Sequence, residues 1–290
     1  MSNFKAGVLG FPIDHSLSPV LHRAAYESLG LSNWKYSPFA VQADELAGFV
    51  NSLDATWAGL SLTMPLKQAA FAVADWVDPT AEVTGAINTL IFNYGAKREV
   101  RGYNTDVIGI LTALGEAGVN ADWVAPRVVA GRQAVVLGGG ATAASACAAL
   151  TKLGFTEIYL VVREPERATQ PKKTAEAFGA RVIFSPFSDA FKLFNRAAVV
   201  VSTLPSGVAD PVSEFLFNPQ TVGHKTLGVL LDVAYVPRPT KLGSAWVHSG
   251  GKYVSGERML LHQAVAQVEL MTGERPKVSE MSKALNLRIH

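Results

Sequence analysis

The chain has 290 residues, 49% of them hydrophobic, and this length can bury the core of one large domain or of two ordinary ones. Its 26 basic and 24 acidic residues leave a formal charge of +2, which argues against nucleic-acid or membrane partners attracted by overall charge. The single cysteine, Cys147, excludes an internal disulfide and favours a reducing, cytoplasmic location, and no Cys/His pair has zinc-ligand spacing, so no metal is predicted.

Short runs rich in Val, Ile and Leu alternate with Ala-rich helical stretches along the chain. The predicted strands are Ala6–Gly10, Gly59–Thr63, Ala134–Leu137 and Glu157–Val162. The predicted helices that follow them are Pro19–Leu29, Pro65–Ala74, Thr142–Leu153 and Pro165–Phe178. Continuous apolar strands are typical of parallel sheets covered by helices on both faces, so the pattern predicts an α/β fold.

Two further features concern the organisation of the chain. Periodicity fails over Val119–Arg132, where Pro, Gly, Asn and Asp accumulate, and we interpret this segment as the irregular start of a second domain. The longest apolar runs have the length of strands, so neither a signal peptide nor a membrane span is predicted.

A pair of serines, Ser16 and Ser18, follows the first predicted strand and precedes a helix. Two hydroxyls before a helix N-terminus suit a carboxylate ligand, which the helix dipole favours. A simple N-cap by Ser18, with Pro19 in the first turn, would explain one serine but not both.

Further polar residues occur where predicted strands end. Gly59-Leu-Ser-Leu-Thr-Met-Pro-Leu-Lys brings Thr63 and Lys67 to one edge of the sheet. Gly85-Ala-Ile-Asn-Thr contains Asn88, and Gly102-Tyr-Asn-Thr-Asp contains Asp106. A lone lysine in a first helical turn is usually only solvated. Here Lys67 is predicted to lie near Asn88 and Asp106, which favours a functional site.

The segment from Ala134 to Ala144 predicts a dinucleotide site. It reads as strand, glycine turn and helix, with Gly138, Gly140 and Ala143 at the positions of G-x-G-x-x-A. The glycines permit a tight turn and a close approach of the backbone to a pyrophosphate, which meets free N–H groups at the helix N-terminus. The alternative is a purely structural turn, which the matching strand and helix disfavour.

The end of the next predicted strand bears on the choice of dinucleotide. An NAD site usually places a carboxylate there, whereas an NADP site places arginine against the 2′-phosphate. Arg163 and Arg167 suit a phosphate and favour NADP over NAD. In the alternative interpretation they pair with Glu164 and Glu166 on a solvated face.

In this order, the motifs resemble those of the shikimate dehydrogenase family. That family shows S-x-S-P, N-V-T-x-P-x-K, G-A-x-N-T, G-x-N-T-D and a glycine-rich NADP turn, then D-x-x-Y-x-P and G-x-x-M-L-x-x-Q. The last two motifs are matched here by Asp232, Tyr235 and Pro237, and by Gly256, Met259, Leu260 and Gln263. The resemblance extends over essentially the whole chain.

The resemblance implies two domains and an activity. A substrate-binding catalytic domain with a mostly parallel sheet would comprise residues 1–106 and 257–290, and a Rossmann domain that binds NADP would comprise residues 107–256. The implied reaction is the reversible oxidation of shikimate to 3-dehydroshikimate in chorismate and aromatic amino acid biosynthesis, with quinate as a further possible substrate. A monomer or a homodimer is expected.

Carried over by position, the resemblance makes Lys67 and Asp106 the catalytic pair. Ser16 and Ser18 would bind the substrate carboxylate, Thr63, Asn88, Asp106 and Gln263 would hold its hydroxyls, and Tyr235 would line the cleft. The implied cofactor-binding residues are Gly138, Gly139, Gly140, Ala141, Arg163, Arg167, Thr203 and Gly256.

Physical chemistry supports the catalytic pair beside the resemblance. Oxidising a secondary alcohol needs a group that accepts the hydroxyl proton as hydride leaves carbon, and the reverse reaction needs a proton donor. A lysine serves both directions when desolvation favours its neutral form, whereas Asp106 orients it and favours the charged form. Hydride chemistry itself belongs to the nicotinamide.

The sequence departs from the family pattern in three places. Ser61 stands where asparagine is usual, which should shorten one polar contact near the substrate. Val162 and Glu164 flank Arg163 in place of asparagine and a hydroxyl residue, and Ser202-Thr-Leu-Pro replaces N-A-T-P.

Two other functions stay open at this point. One is an NAD-dependent dehydrogenase of quinate or shikimate with the same fold, against which Arg163 argues. The other is a non-catalytic regulator that binds shikimate or quinate. The joint presence of Lys67, Asp106 and the nucleotide turn argues against it.

Overall fold

The chain packs into two compact α/β units. The computed structural model describes residues 3–217 and 227–289. One unit comprises Met1–Gly109 and Leu260–His290, and the other comprises Ile110–Met259. The first unit therefore combines the beginning and the end of the chain, and the predicted α/β class is confirmed.

The strands of the first unit form one mixed sheet of order β2-β1-β3-β5-β6-β4. They are β1 (Phe4–Gly10), β2 (Trp34–Ala40), β3 (Trp57–Leu62), β4 (Trp76–Val77), β5 (Thr89–Tyr94) and β6 (Arg98–Tyr103). Strand β1 pairs in parallel with β2 and β3, and β4 with β6, whereas β5 runs antiparallel to both β3 and β6. The carboxyl ends of β1, β3 and β6 therefore meet the amino end of β5 at one edge.

The strands of the second unit form a sheet whose pairings are parallel throughout the described residues, in the order β12-β11-β10-β7-β8-β9. They are β7 (Gln133–Leu137), β8 (Glu157–Val161), β9 (Arg181–Ser185), β10 (Ala197–Ser202), β11 (Val229–Asp232) and β12 (Lys252–Ser255). Counted from β7, the order is 3-2-1-4-5-6, which is that of a Rossmann fold. Such sheets bind ligands where the order reverses, at the carboxyl ends of β7 and β10.

Helices connect the strands of both units. In chain order they are α1 (Ser18–Ser28), α2 (Leu46–Asn51), α3 (Leu66–Ala69), α4 (Pro79–Thr84), α5 (Asp106–Glu116), α6 (Ala121–Val129), α7 (Ala141–Lys152), α8 (Thr169–Ala177), α9 (Ala190–Phe194), α10 (Asp210–Leu216), α11 (Lys241–His248), α12 (Gly256–Thr272) and α13 (Val278–Ile289). No helix in the described ranges is long and apolar enough to cross a membrane.

Helix α6 corrects the prediction of an irregular segment at 119–132. Asn120 caps it by accepting a hydrogen bond from the Trp123 N–H at 2.9 Å. The Arg127 guanidinium lies 3.6 Å from the centre of the Trp123 ring, which adds a cation–π contact one turn on. Pro126 lies inside this helix. The cap and the Trp123–Arg127 contact stabilise the helix. The internal proline and the weak apolar periodicity are why the sequence pattern did not predict it.

The core of the first unit follows the alternation of its strands. On one face of the sheet Val8 packs with Leu21 of α1 and Val265 of α12. On the other face Leu9 packs with Leu60 of β3. Burial on both faces explains why these strands lack a polar side in the sequence.

The second unit is also covered on both faces. Trp246 of α11 is fully buried, packs edge-on against Phe194 at 5.1 Å, and donates its indole N–H to the Gly228 carbonyl at 3.0 Å. Helix α7 buries a run of small residues that includes Cys147, and burial raises the pKa of the Cys147 thiol to about 12. Small side chains let this helix approach the sheet closely beside the glycine turn that follows β7.

The buried His22 couples the stability of the first unit to pH. Its ring stacks on Tyr36 at 3.8 Å, and burial, only partly offset by the hydrogen bond to Gln267, lowers the pKa of His22 from 6.5 to about 3. Between these pH values the unfolded chain binds a proton there that the folded chain does not. The free energy of unfolding therefore falls as the pH drops from 6.5, by at most about 1.4 kcal/mol per pH unit.

We expect His22→Gln to reduce this acid sensitivity. Chemical denaturation between pH 7 and pH 4 should give a smaller loss of unfolding free energy than in the wild type, even though the variant starts less stable. His15→Gln, at an exposed histidine of the same unit, should keep the wild-type slope. An unchanged slope in His22→Gln would contradict the assignment.

Candidate active site

Lys67 and Asp106 form an ion pair in the first unit. The Lys67 Nζ lies 2.5 Å from Asp106 Oδ2, and the side chains are only 14% and 5% exposed. Lys67 belongs to α3, which follows β3, and Asp106 is the first residue of α5, which follows β6. The two side chains meet because the ends of these strands lie at the same edge of the sheet. The Lys67 carbonyl accepts a hydrogen bond from the Ile87 N–H at 2.9 Å, which anchors the short helix.

Asn88 donates a hydrogen bond to the second carboxylate oxygen of Asp106. Its Nδ2 donates to Asp106 Oδ1 at 2.8 Å and to the Thr105 hydroxyl at 2.9 Å. Its Oδ1 accepts from the Thr105 backbone N–H at 2.8 Å, so the amide orientation follows from its partners. Asn88 immediately precedes β5, whose amino end lies at this edge. Both oxygens of the carboxylate thus have a donor, as a buried charge requires.

The two serines predicted to bind a carboxylate lie at the start of α1. Ser16 Oγ accepts from the Ser18 N–H at 3.3 Å, and Ser18 itself is buried. The N-cap position is Leu17 rather than Ser18, so the capping alternative does not describe this helix. Pro19 occupies the first turn, as expected.

The remaining predicted substrate residues are Thr63, Gln263 and Tyr235. Thr63 directly follows β3 and is half-buried, and its N–H donates to the Leu9 carbonyl at 2.9 Å. Gln263 is buried in α12 and donates to the Leu260 carbonyl at 2.9 Å. Tyr235 lies in the second unit, and burial raises its pKa. Their roles at the substrate stay predictions.

A buried polar group that the motifs did not predict lies beside the ion pair. Gln267 of α12 is 1% exposed and contacts Ser61, Asn88 and Thr89. The signal was present, because a second glutamine four residues after Gln263 lies on the same helical face. Ser61 belongs to this group and stands where the family motif has asparagine. Its hydroxyl is buried and hydrogen-bonded within this group rather than left free for a ligand.

The glycine turn of the second unit has the geometry that the sequence predicted. Gly138 has φ +110°, a conformation that favours glycine, and a Cβ there would lie 2.5 Å from Thr203 Oγ1. Thr203 follows β10, and its hydroxyl donates to the Leu137 carbonyl at 2.8 Å. Gly140 precedes α7 without a side-chain cap, so the helix begins with N–H groups that suit an anion.

A groove of about 300 Å³ adjoins this turn. It is lined by Gly138, Gly139, Gly140, Val162, Arg163, Glu164, Arg167, Phe187 and Leu204. Both arginines are exposed, and Arg167 pairs with Glu164 at 2.8 Å. The solvated-face interpretation therefore describes Arg167, whereas Arg163 makes no ion pair with the described residues. A glycine turn, an open helix N-terminus and a nearby guanidinium fit an anionic dinucleotide.

Two more of the predicted cofactor-binding residues are Ala141 and Gly256. Ala141 is the half-buried first residue of α7. Gly256 begins α12, and a Cβ there would overlap the Val233 carbonyl oxygen, so close packing already requires glycine. No group of three or more His, Cys, Asp or Glu in the described ranges could hold a metal ion.

Comparisons with known proteins agree with this geometry. Residues 8–90 match the shikimate dehydrogenase substrate binding domain, and residues 256–285 match the shikimate 5'-dehydrogenase C-terminal domain. A shikimate dehydrogenase (NADP(+)) of Methanothermobacter thermautotrophicus is 33% identical over 284 residues, which cover 96% of this chain and 94% of the relative.

Solved structures are similar over the whole chain. Shikimate dehydrogenase from Mycobacterium tuberculosis superposes with a TM-score of 0.85 at 37% identity, covering 98% of this chain and 99% of that one. Shikimate 5-dehydrogenase from Thermus thermophilus, in complex with NADP(H) and shikimate, gives a TM-score of 0.79 at 31% identity, with coverage of 98% and 99%.

Proposed function

The chain belongs to the shikimate dehydrogenase family, and we propose that it catalyses the reversible, NADP-dependent oxidation of shikimate to 3-dehydroshikimate. It is an oxidoreductase that acts on a secondary alcohol, and its reaction belongs to chorismate and aromatic amino acid biosynthesis. Relatives named for this reaction match nearly the full length of the chain.

One observation of the structure carries the proposal. A lysine and a carboxylate, largely withdrawn from water, stand 2.5 Å apart at the edge where the strands of the first unit end. An alcohol dehydrogenation without a metal needs such a proton-transfer group. Buried ion pairs contribute little net stability compared with apolar residues of the same size, so stability alone does not account for a lysine and a carboxylate placed here.

In the proposed mechanism Lys67 moves the proton and Asp106 directs it. NADP⁺, when bound, supplies the acceptor for the hydride that leaves the carbinol carbon. For the oxidation Lys67 first releases its ammonium proton to solvent. As the C–H bond breaks, the neutral Lys67 amine accepts the hydroxyl proton, so that the alcohol becomes a ketone and the Lys67 ammonium is restored beside Asp106. In the reverse direction the Lys67 ammonium donates the proton to the oxygen of the ketone. Asp106 holds the Lys67 nitrogen at one position, which removes the entropy of a flexible side chain from the step.

The remaining predicted residues receive roles from their chemistry. Ser16 and Ser18 would bind the shikimate carboxylate, and Thr63, Asn88, Gln263 and Tyr235 would contact the ring hydroxyls or line the site. Gly138, Gly139, Gly140, Ala141, Thr203 and Gly256 would surround the pyrophosphate and nicotinamide portions of the cofactor. Arg163 would bind the 2′-phosphate, since its charge is not engaged by a described carboxylate. We also assign residues 1–106 and 257–290 to the substrate and residues 107–256 to NADP.

Location and assembly are proposed from composition. A formal charge of +2 and a single buried cysteine support a cytoplasmic protein whose partners are small molecules rather than nucleic acid or membrane. A monomer or a homodimer is the proposed assembly.

The direct test is initial-rate oxidation by the purified protein of shikimate and of quinate, each with NADP⁺ and with NAD⁺. We expect the highest kcat/KM with shikimate and NADP⁺. Preference for quinate with NAD⁺ would overturn the cofactor assignment but keep the fold. Binding of shikimate without turnover in any combination would instead favour the non-catalytic regulator.

We expect Lys67→Ala to lower kcat by roughly 10²- to 10⁴-fold, the usual contribution of a general acid–base group. Shikimate affinity, measured by calorimetric titration, should change little, because the lysine is proposed for proton transfer. Gln68→Ala, at the exposed neighbour in the same short helix, is the matched control and should keep wild-type rates. A Lys67→Ala variant with wild-type kcat would exclude the proposed role.

We expect Arg163→Ala to raise the KM for NADP⁺ about tenfold or more and to leave the KM for NAD⁺ nearly unchanged. A hydrogen bond to a charged group contributes about 1.5–3 kcal/mol, and only NADP⁺ carries the 2′-phosphate. Arg167→Ala should have a smaller effect, because Glu164 already pairs with that guanidinium. Equal changes for both cofactors in steady-state kinetics would contradict a phosphate contact by Arg163.

A further inference from the structure

The side chain of Gln267 is held at both ends of its amide. Its Oε1 accepts from the Ser61 hydroxyl at 2.7 Å. Its Nε2 donates to the Thr89 hydroxyl at 2.9 Å and to the Asn88 carbonyl at 3.2 Å. Since one end of the amide is an acceptor and the other a donor, these partners allow only one orientation of the group.

The Tyr36 proton determines which way the hydrogen bonds to Gln267 run. The Tyr36 hydroxyl donates to Ser61 Oγ at 2.7 Å, and burial raises the pKa of Tyr36, so it keeps its proton. Ser61 therefore directs its own proton to Gln267. His22 Nε2 lies 3.3 Å from the same Gln267 oxygen and Tyr26 lies near Nδ1, an arrangement that suits a neutral ring with Nε2 as the donor.

On the other side of Gln267 the chain of donors continues to the ion pair. Thr89 Oγ1 accepts from Gln267 and donates to Asn88 Oδ1 at 2.9 Å. Because Asn88 Oδ1 is used as an acceptor, Asn88 Nδ2 faces Asp106 Oδ1 at 2.8 Å. Asp106 Oδ2 is then the oxygen that accepts from Lys67. Each group between Tyr36 and Asp106 both accepts and donates, in one consistent direction.

We propose that Gln267 is a positioning residue for the Lys67–Asp106 pair, acting through Thr89 and the amide orientation of Asn88. The inference rests on the proposed function, because it assigns to Gln267 a part in the same proton transfer. Gln267 itself makes its described contacts with protein groups, so its effect on the reaction is indirect.

The expected size of the effect follows from what stays in place without Gln267. Thr89 loses its donor partner and its hydroxyl becomes free to rotate, which weakens the hold on Asn88 Oδ1. The Thr105 N–H still holds that oxygen at 2.8 Å, so Asn88 retains a preference for its present orientation. A fraction of molecules with the amide reversed would place an oxygen against Asp106, where two acceptors repel. We therefore expect a loss of about one order of magnitude in rate rather than abolition.

The experiment uses two near-isosteric variants and their combination. Gln267→Met removes the amide while keeping the length of the side chain, and Thr89→Val removes the hydroxyl while keeping its shape. Each should lower kcat about 5- to 20-fold with the KM for NADP⁺ unchanged, and a shikimate deuterated at the reacting carbon should show a larger isotope effect on kcat. The double variant should be no slower than the slower single one, because both changes break the same series of hydrogen bonds.

A packing control separates positioning from stability. Val268→Ala, at the next residue of α12, is fully buried and should lower the unfolding temperature without changing kcat or the isotope effect. If Gln267→Met fails to fold, Thr89→Val alone tests the proposal, since it leaves Gln267 in place.

The outcomes are distinct for this proposal and for the proposed function. A wild-type enzyme active on shikimate, with folded Gln267→Met and Thr89→Val variants at wild-type kcat, overturns the positioning role alone. Multiplicative losses in the double variant also overturn it, because they indicate independent effects. A wild-type protein without turnover of shikimate overturns the function and this role together. Slow single variants, no further loss in the double variant and an enlarged isotope effect support the proposal.

Discussion

The carboxylate of Asp106 imposes the main constraint on the first unit. A charge only 5% exposed is tolerated when each oxygen has a donor, and here Lys67 serves one oxygen and Asn88 the other. Loss of one partner from such a pair typically costs roughly 3–5 kcal/mol, because the remaining charge stays buried. The same constraint serves chemistry, since a lysine nitrogen held at one position has no freedom to lose when a substrate hydroxyl arrives.

The mixed sheet of the first unit is what brings these three residues together. Lys67 and Asp106 follow the ends of β3 and β6, whereas Asn88 precedes the beginning of β5. In a purely parallel sheet the beginning of β5 would lie at the opposite edge, about 17 Å away for a strand of this length at ~3.4 Å per residue. Because β5 is antiparallel to both neighbours, its amino end joins their carboxyl ends. In the second unit, by contrast, the turn and Thr203 both follow strand ends, and a parallel sheet is sufficient.

Local signals in the sequence predicted more of the second unit than of the first. The turn after β7 could be predicted because strand, glycines and helix are contiguous, and Gly138 adopts the positive φ that such a turn requires. Lys67, Asn88 and Asp106 could be named from motifs, but their contact depends on the antiparallel β5, which no short motif encodes. Gln267 meets Ser61 across more than two hundred residues of sequence, and only the packing of α12 against the sheet brings them together. Helix α6 was missed because its cap and its Trp123–Arg127 pair outweigh an internal proline.

Ser61 illustrates how a departure from a family pattern is absorbed by its surroundings. A serine offers one O–H donor, and here that donor is directed to Gln267 while Tyr36 donates to its oxygen. The residue is 4% exposed and its hydroxyl already has a partner on each side, so it has no second proton to offer a ligand. A shorter side chain at this position therefore does not simply shorten a substrate contact. Through Gln267 and Thr89, the Ser61 hydroxyl belongs instead to the series of hydrogen bonds that reaches Asn88 and the ion pair.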